Sequence, residues 1–276
     1  MIIFLQIGET ALYAAASSGR LPVCQLLIRH GALVLKRNVA MEKTPNPAEN
    51  SPLYAAISEG HYSIVELFLN HLLGPPPVVG SRNTTMENID SSNLINESCD
   101  KLGRCPLSVA AAEGQVGVIE LLLSRSADIE SKNVENGLPP LIWAVIGCKA
   151  NAVDLLLKAG ANLKAVDSIK RTAFHHVAIS GSEKILAVLL DHLDEHKHLY
   201  MPEEQNGNQV NAYTIRQRFT SKNKDNIIEN ADKDGVRPID LAIAHGKEGI
   251  LAKLLKRGAK LGPTTWAMAK GKPRVA

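Results

Sequence analysis

The sequence predicts an all-α fold, an α-solenoid of six helix-pair repeats followed by a terminal half unit. Three observations predict it. A short apolar block returns six times, a glycine stands at a fixed distance after nearly every block, and a second apolar stretch with helical spacing follows. Because aromatic residues make up only 4% of the 276 residues, the core must be built from Leu, Ile, Val and Ala, which suit tightly stacked small helices.

Each repeat opens with the apolar block, which predicts its first helix. The first copy reads Thr10-Ala11-Leu12-Tyr13-Ala14-Ala15, and the third residue of each block serves here as the anchor of its copy. Several copies carry proline before the anchor, which a first helical turn tolerates because that residue has no intrahelical N–H bond to lose. The six anchors are Leu12, Leu53, Leu107, Leu141, Phe174 and Ile239.

A turn and a second amphipathic helix are predicted after each block. Five copies have glycine seven residues after the anchor, whereas the fourth copy has Cys148 there. Four copies then close with a pair of small residues, and a glycine in such a pair suits the left-handed position that ends a helix. The closing pairs are Gly31-Ala32, Ser126-Ala127, Gly160-Ala161 and Gly258-Ala259.

The spacing of the anchors predicts one array over residues 1–276, interrupted by insertions. Successive anchors are 41, 54, 34, 33 and 65 residues apart. Repeats are predicted near 8–40, 49–73, 103–135, 137–168, 170–194 and 235–262, with the half unit at 263–273.

The two long gaps fall after the second and fifth repeats, which also lack the small closing pair. We expect their second helices to extend by a turn and run into insertions at 74–102 and 195–230. Both insertions are rich in polar residues, and the first contains Gly74-Pro75-Pro76-Pro77, so mobile loops are predicted. A degenerate repeat hidden within 195–230 is the alternative, although no helix-pair pattern stands out there.

Composition excludes several classes of protein. The formal net charge of +3 is too small for a dedicated nucleic-acid binder, and no apolar run is long enough to insert into a membrane. Four scattered cysteines form no CxxC pair and indicate idle thiols in a reducing compartment rather than disulfides or a metal site. A cytoplasmic protein without metal or cofactor is therefore expected.

The repeated residues resemble the ankyrin repeat over nearly the whole chain. The tail narrows the resemblance: Leu254-Leu255-Lys256-Arg257-Gly258-Ala259 followed by Trp266-Ala267-Met268-Ala269 is similar to the end of the ankyrin array in the TANC family. These are scaffold proteins with tetratricopeptide, ankyrin and coiled-coil segments, and their invertebrate member is called rolling pebbles. The long insertions depart from the regular array of that family.

The resemblance implies a non-enzymatic protein-binding module of a cytoplasmic scaffold, associated with the postsynaptic density or with myoblast fusion and the cytoskeleton. Ankyrin partners commonly bind a concave groove lined by finger tips and first helices. Apolar residues at such positions are either partner anchors or packing beneath neighbouring fingers, and the sequence leaves both open. The candidate groove residues are Ser18, Glu59, Glu113, Leu138, Ile146, Arg171, Ile179 and His245.

Two histidine-containing motifs point to other roles. His192-Leu193-Asp194-Glu195-His196 matches the H-x-x-E-H pattern of inverted zinc proteases, but a solvated helix end explains it more simply. His175 follows its anchor at the position where ankyrin repeats commonly keep a hydrogen-bonded histidine, so a structural role is expected. The remaining alternative is a spacer that holds flanking domains apart.

Overall fold

The computed structural model describes a chain of helix pairs. Twelve α-helices and no β-strand occur in the part of the chain that it describes, which confirms the all-α, solenoid-type fold class. The described residues are 10–35, 51–74, 95–96, 100, 102–133, 135–196, 227–262 and 265.

The chain divides into two compact units, Met1–Ala161 and Asn162–Ala276. Unit 1 contains four helix pairs, each a first helix, a turn and a second helix. The pairs are α1 (Ala11–Ser17) with α2 (Leu21–Arg29), α3 (Pro52–Ser58) with α4 (Tyr62–Leu73), α5 (Pro106–Glu113) with α6 (Val116–Ser124), and α7 (Pro140–Ile146) with α8 (Ala150–Lys158).

The pairs of unit 1 stack in chain order. The first helices form one contacting row, α1 to α3 to α5 to α7, and the second helices form a parallel row, α2 to α4 to α6 to α8. Ala16, Ala56, Ala110 and Ala144 of the first helices have no exposed surface, which lets these short helices approach closely, and Phe68 and Leu122 of the second helices are also fully buried. No pair could bury its apolar face alone, so stacking makes the core continuous through the unit.

Unit 2 contains two pairs built in the same way. They are α9 (Ala173–Ser180) with α10 (Glu183–Glu195), and α11 (Pro238–Ala244) with α12 (Glu248–Lys256). First helix contacts first helix and second contacts second, as in unit 1. Phe174 and Ile239, the two anchors of this unit, are at most 1% exposed.

The expected long second helices are confirmed. Helices α4 and α10 contain 12 and 13 residues, whereas the other four second helices contain 9. Most of the predicted insertions 74–102 and 195–230, and of the half unit 263–273, lies outside the described residues, so those boundaries remain predictions. Ile95 and Ile228, near the C-terminal ends of the insertions, are buried at 3% exposure each.

The predicted glycine-bearing turn between first and second helix has a residue in the left-handed region. The five glycines seven residues after an anchor have φ between +62° and +79°. Cys148, which replaces glycine in the fourth copy, adopts φ +56° despite its side chain. The small closing residues Gly31, Ser126, Gly160 and Gly258 also have positive φ, so helix ends were predictable from sequence.

Replacing Cys148 by glycine should stabilise unit 1. A non-glycine residue in the left-handed region costs about 1 kcal/mol, and the exposed Cys148 side chain returns little packing energy. Cys148→Gly should therefore raise the free energy of unfolding by about 0.5–1 kcal/mol in urea denaturation, and the same substitution at the buried Cys24 should lower it. A destabilised Cys148→Gly variant would show that its thiol makes an important contact.

Candidate partner-binding surface

Four of the predicted groove residues form a series on unit 1, which we call the turn surface: Ser18, Glu59, Glu113 and Ile146. Each lies at the C-terminal end of a first helix or caps it, in α1, α3, α5 and α7 respectively. All four are exposed, and Ile146 exposes 42% of its surface to solvent. Because the four helices contact one another in order, the turn surface extends across all the pairs of unit 1.

The local sequence explains why these side chains point to solvent. Residues four after each anchor, Ala16, Ile57, Ala111 and Val145, have no exposed surface and hold the helices in the stack. Three residues later the chain reaches the left-handed turn and reverses direction. The intervening side chains are thereby left at the edge of the core, where the stack does not cover them.

The turns of neighbouring pairs are tied together by contacts that sequence reasoning missed. The Nε2 atom of His61 lies 3.0 Å from the backbone oxygen of Ser17, and Nε2 of Gln115 donates to the backbone oxygen of Ser58 at 3.2 Å. Both side chains occupy the position directly after the left-handed glycine. A polar residue at that position, recurring from copy to copy, was the available signal. These bonds fix the spacing between successive parts of the turn surface.

Side chains at this position also lie over the glycine of the preceding turn. A Cβ atom at Gly19 would be 2.8 Å from Cε1 of His61, and one at Gly114 would be 2.8 Å from Cδ of Lys149. Positive φ favours glycine at these turns, and a Cβ atom there would also displace the side chain of the next turn.

Leu138 is not part of an exposed surface. It is 5% exposed, and its backbone N–H donates to Oδ1 of Asn133 at 2.7 Å within the same loop. The expectation of an apolar anchor at this position is corrected, since Leu138 packs beneath its neighbours, as the alternative reading held. Ile146 is the apolar candidate of unit 1 that does reach solvent.

The remaining candidates belong to unit 2 and are considered separately. His245 is exposed at the end of α11, whereas Ile179 of α9 is half-buried. The Nε atom of Arg171 donates to Oδ2 of Asp232 at 3.1 Å, and the Asp232 side chain has no exposed surface. Arg171 therefore joins two loops of this unit instead of standing free for a partner.

Aspartates organise the loops before the first helices, another feature missed from the sequence. One carboxylate oxygen of Asp100, Asp167 and Asp232 accepts two backbone N–H groups from the residues two and four positions later, at 2.8–3.0 Å. Each aspartate stands seven residues before its anchor. The loop shape is therefore set by side chain to backbone bonds that compete successfully with water.

His175 has the structural role predicted for it. Its Nδ1 accepts from the backbone N–H of Thr172 at 3.0 Å, and its Nε2 lies 3.1 Å from the backbone oxygen of Val236 in the next loop. The ring is fully buried. Burial lowers the pKa of His175 to about 4, outweighing the hydrogen bond to Val236 and the charge of Asp232. His175 is therefore neutral at physiological pH and serves as a tie between repeats.

A second buried polar group of unit 2 is charged. Burial raises the pKa of the Asp240 carboxyl, but hydrogen bonds from Arg237 and Thr265 outweigh burial and hold its pKa below the ordinary value. Arg237 also donates to the backbone oxygen of Lys260 at 2.8 Å, and to Oγ1 of Thr265 at 2.8 Å. This network attaches the segment after α12 to the start of α11.

The geometry at the H-x-x-E-H segment does not assemble a metal centre. The rings of His192 and His196 stack with centroids 4.3 Å apart, and Nδ1 of His196 lies 3.1 Å from the backbone oxygen of His192. Among the described residues, no group of three potential metal-ligating side chains comes together. Nor, over the same residues, is any helix both long and apolar enough to cross a membrane.

Stacked helix pairs with left-handed turns and aspartate-organised loops define a tandem-repeat class of protein that binds through its surface. The family model described as ankyrin repeats (3 copies) matches residues 4–81 and 107–201, well over half of the chain. The chain belongs to the ankyrin-repeat family, and the predicted ankyrin resemblance is confirmed.

Individual relatives share only part of the chain. Human Inversin is 32% identical over 29% of this chain, and the ankyrin repeat and KH domain-containing protein mask-1 of Caenorhabditis elegans is 31% identical over 56% of it. The ankyrin repeat domain-containing protein SAT10 of Stachybotrys chartarum is 28% identical over 66%. The matched regions cover 8%, 5% and 10% of those proteins, so the chain spans a small part of each.

Proposed function

We propose that this chain is a protein-binding module that captures a partner on the turn surface of unit 1. The observation that carries the proposal is the exposed series Glu59, Glu113 and Ile146 at the ends of three consecutive, contacting first helices. Ankyrin repeats are typically interaction modules and not catalysts, and family membership supports a protein partner.

The chemistry of the turn surface defines the partner that suits it. The turn surface combines two carboxylates, Glu59 and Glu113, with an aliphatic side chain, Ile146, that has 42% of its surface in water. A segment with basic side chains next to an apolar one would pair with both, since the apolar contact supplies affinity and the charges set orientation and association rate. The stacked core keeps the surface rigid, so little ordering entropy is lost on binding.

Partner capture by the complete chain tests the proposal. The variant Glu59→Lys, Glu113→Lys, Ile146→Asp reverses both charges and removes the apolar contact, and we expect it to lose at least 10-fold in the amount of specific partner retained. Quantitative mass spectrometry of captured proteins measures the loss. Thermal unfolding should be little changed, since all three side chains are exposed.

A matched control carries the same kinds of change on the second helices: Glu120→Lys, Asp154→Lys and Leu26→Asp. These side chains are exposed on α6 and α2 or lie at the surface of α8, away from the turn surface. The control should retain the partner. Equal retention by both triple variants would rule out the turn surface as the binding site and favour a spacer role.

We further propose that the chain comes from a TANC-like cytoplasmic scaffold. This assignment rests on the sequence after Leu254, including Trp266-Ala267-Met268-Ala269, and on the opening Thr10-Ala11-Leu12-Tyr13. A postsynaptic or cell-cortex location follows from the same resemblance. Fluorescent tagging of the full-length protein tests the location, and a diffuse or luminal signal would contradict it.

A further inference from the structure

Arg125 is a buried arginine whose hydrogen bonding is incomplete. It caps the C-terminus of α6 and is 8% exposed. Its Nη2 donates to Oδ1 of Asn70 on the neighbouring helix α4 at 2.7 Å. Its Nε and Nη1 atoms are both removed from water, and among the described residues they have no acceptor. A guanidinium that is always charged thus meets one neutral amide.

Other arginines of the described chain are paired differently. Arg104 pairs with Asp100 at 2.7 Å, Arg171 with Asp232 at 3.1 Å, and Arg237 with Asp240 at 3.1 Å. In each case a carboxylate oxygen receives the guanidinium. The fold therefore pairs its part-buried arginines with anions as a rule, and Arg125 departs from that rule.

Arg257 occupies the same position in its repeat as Arg125 does, and it is paired with a carboxylate. Arg257 stands eighteen residues after its anchor, as Arg125 does, and each follows a repeat with an extended second helix. Arg257 forms an ion pair with Asp194 near the end of that extended helix. Arg125 reaches the equivalent helix, where its partner within the described ranges is the amide of Asn70.

Physical chemistry disfavours leaving Arg125 as it stands. A buried charge without a counterion loses its hydration, and one hydrogen bond to a neutral amide does not restore it. The partial negative charge at the C-terminus of α6 favours the cation but gives Nε and Nη1 no acceptor. Guanidinium matches carboxylate and phosphate oxygens better than any other group in proteins.

We propose that Arg125 is an oxyanion-binding site that takes a carboxylate or a phosphate group on Nε, Nη1 or both. Close to the site along the chain, the backbone N–H of Asp128 donates to Oδ1 of Asn96 at 2.9 Å. The bond places Asn96 beside Asp128, which is three residues after Arg125 in the sequence. The anion comes from solution or from a bound partner.

Thermal unfolding of the complete chain tests the site through the sign of one substitution. Arg125→Met keeps much of the side-chain volume and removes the charge. With phosphate present, the substitution removes the group that binds the anion, and we expect the melting temperature to fall by about 4–8 °C. Asn70→Ala, which removes only the amide, should lower it by about 1–3 °C. Arg257→Met serves as the matched control for an arginine with a visible carboxylate partner.

Comparing the melting temperatures of Arg125→Met and Asn70→Ala decides whether the site exists. A melting temperature for Arg125→Met clearly below that of Asn70→Ala supports the site. A value equal to Asn70→Ala, or at or above wild type, overturns it, because losing an unpaired buried charge is neutral or stabilising.

Inorganic phosphate, titrated at constant ionic strength against chloride, then tests whether the site takes an anion from solution. A phosphate-dependent rise in the melting temperature of the wild type, absent in Arg125→Met, supports the site. No such rise overturns it.

Discussion

Gly147→Ala should lower the free energy of unfolding by about 3 kcal/mol, one of the two largest effects expected for this protein. Gly147 has φ −71°, so backbone conformation is not the reason. A Cβ atom there would overlap the backbone oxygen of Ala112 on α5 and lie 3.0 Å from its carbonyl carbon. Backbone cannot yield as a side chain does, so α5 and α7 would have to separate. Urea denaturation measures the loss.

Gly117→Ala is the matched control on the neighbouring helix α6. Its Cβ atom would lie 3.6 Å from Cδ2 of Tyr62, an ordinary contact. Alanine is also the better helix former, by up to about 1 kcal/mol. Gly117→Ala should therefore be as stable as wild type or more so. Equal losses in the two variants would show that the close approach of the first helices is not what makes Gly147 necessary.

Acidification should destabilise unit 2 by about 3 kcal/mol between pH 6.5 and pH 4, the second large effect. The pKa of His175 is about 4 in the folded chain and 6.5 for an ordinary histidine, so the unfolded chain binds this proton more readily. Stability from the neutral ring is complete above pH 6.5 and is lost as the pH falls toward 4. Burial also lowers the pKa of the adjacent His176, although its bond to Asp167 opposes this, so the effect has the same sign.

Denaturation at pH 7, 5.5 and 4 gives the slope of stability against pH. His175→Leu should be less stable than wild type at pH 7, because Thr172 and Val236 lose their partner, but its slope over this range should be shallower. A variant with the same slope as wild type would exclude His175 as a source of the pH dependence. The pH dependence of stability would then have to come from carboxylates near His175, such as Asp232.

Much of the fold was predictable because each repeat shows the same physical requirements several times. Six anchors, the glycine after five of them and the small closing residues of four copies predicted the helix pairs, and Cys148 was recognisable as a departure from glycine. The loops between repeats were harder. They depend on carboxylates such as Asp167 bonding to nearby N–H groups, a local effect that apolar periodicity does not reveal.

The candidate surface was predictable only in part. Counting from the anchors placed Glu59, Glu113 and Ile146 at exposed helix ends. The same counting failed for Leu138, because exposure three residues before an anchor depends on how the loop folds around Asn133. Arg171 was misjudged since its partner, Asp232, lies 61 residues away in sequence. Contacts of that range require the stacked structure.

Hydrogen exchange of the complete chain, free and with its captured partner, tests whether the partner binds the turn surface. We expect new protection of backbone amides at the C-terminal ends of α3, α5 and α7, around Glu59, Glu113 and Ile146. Protection on the outer faces of α6 and α8 should change little. Protection confined to the second helices, with the turn surface unchanged, would contradict this prediction.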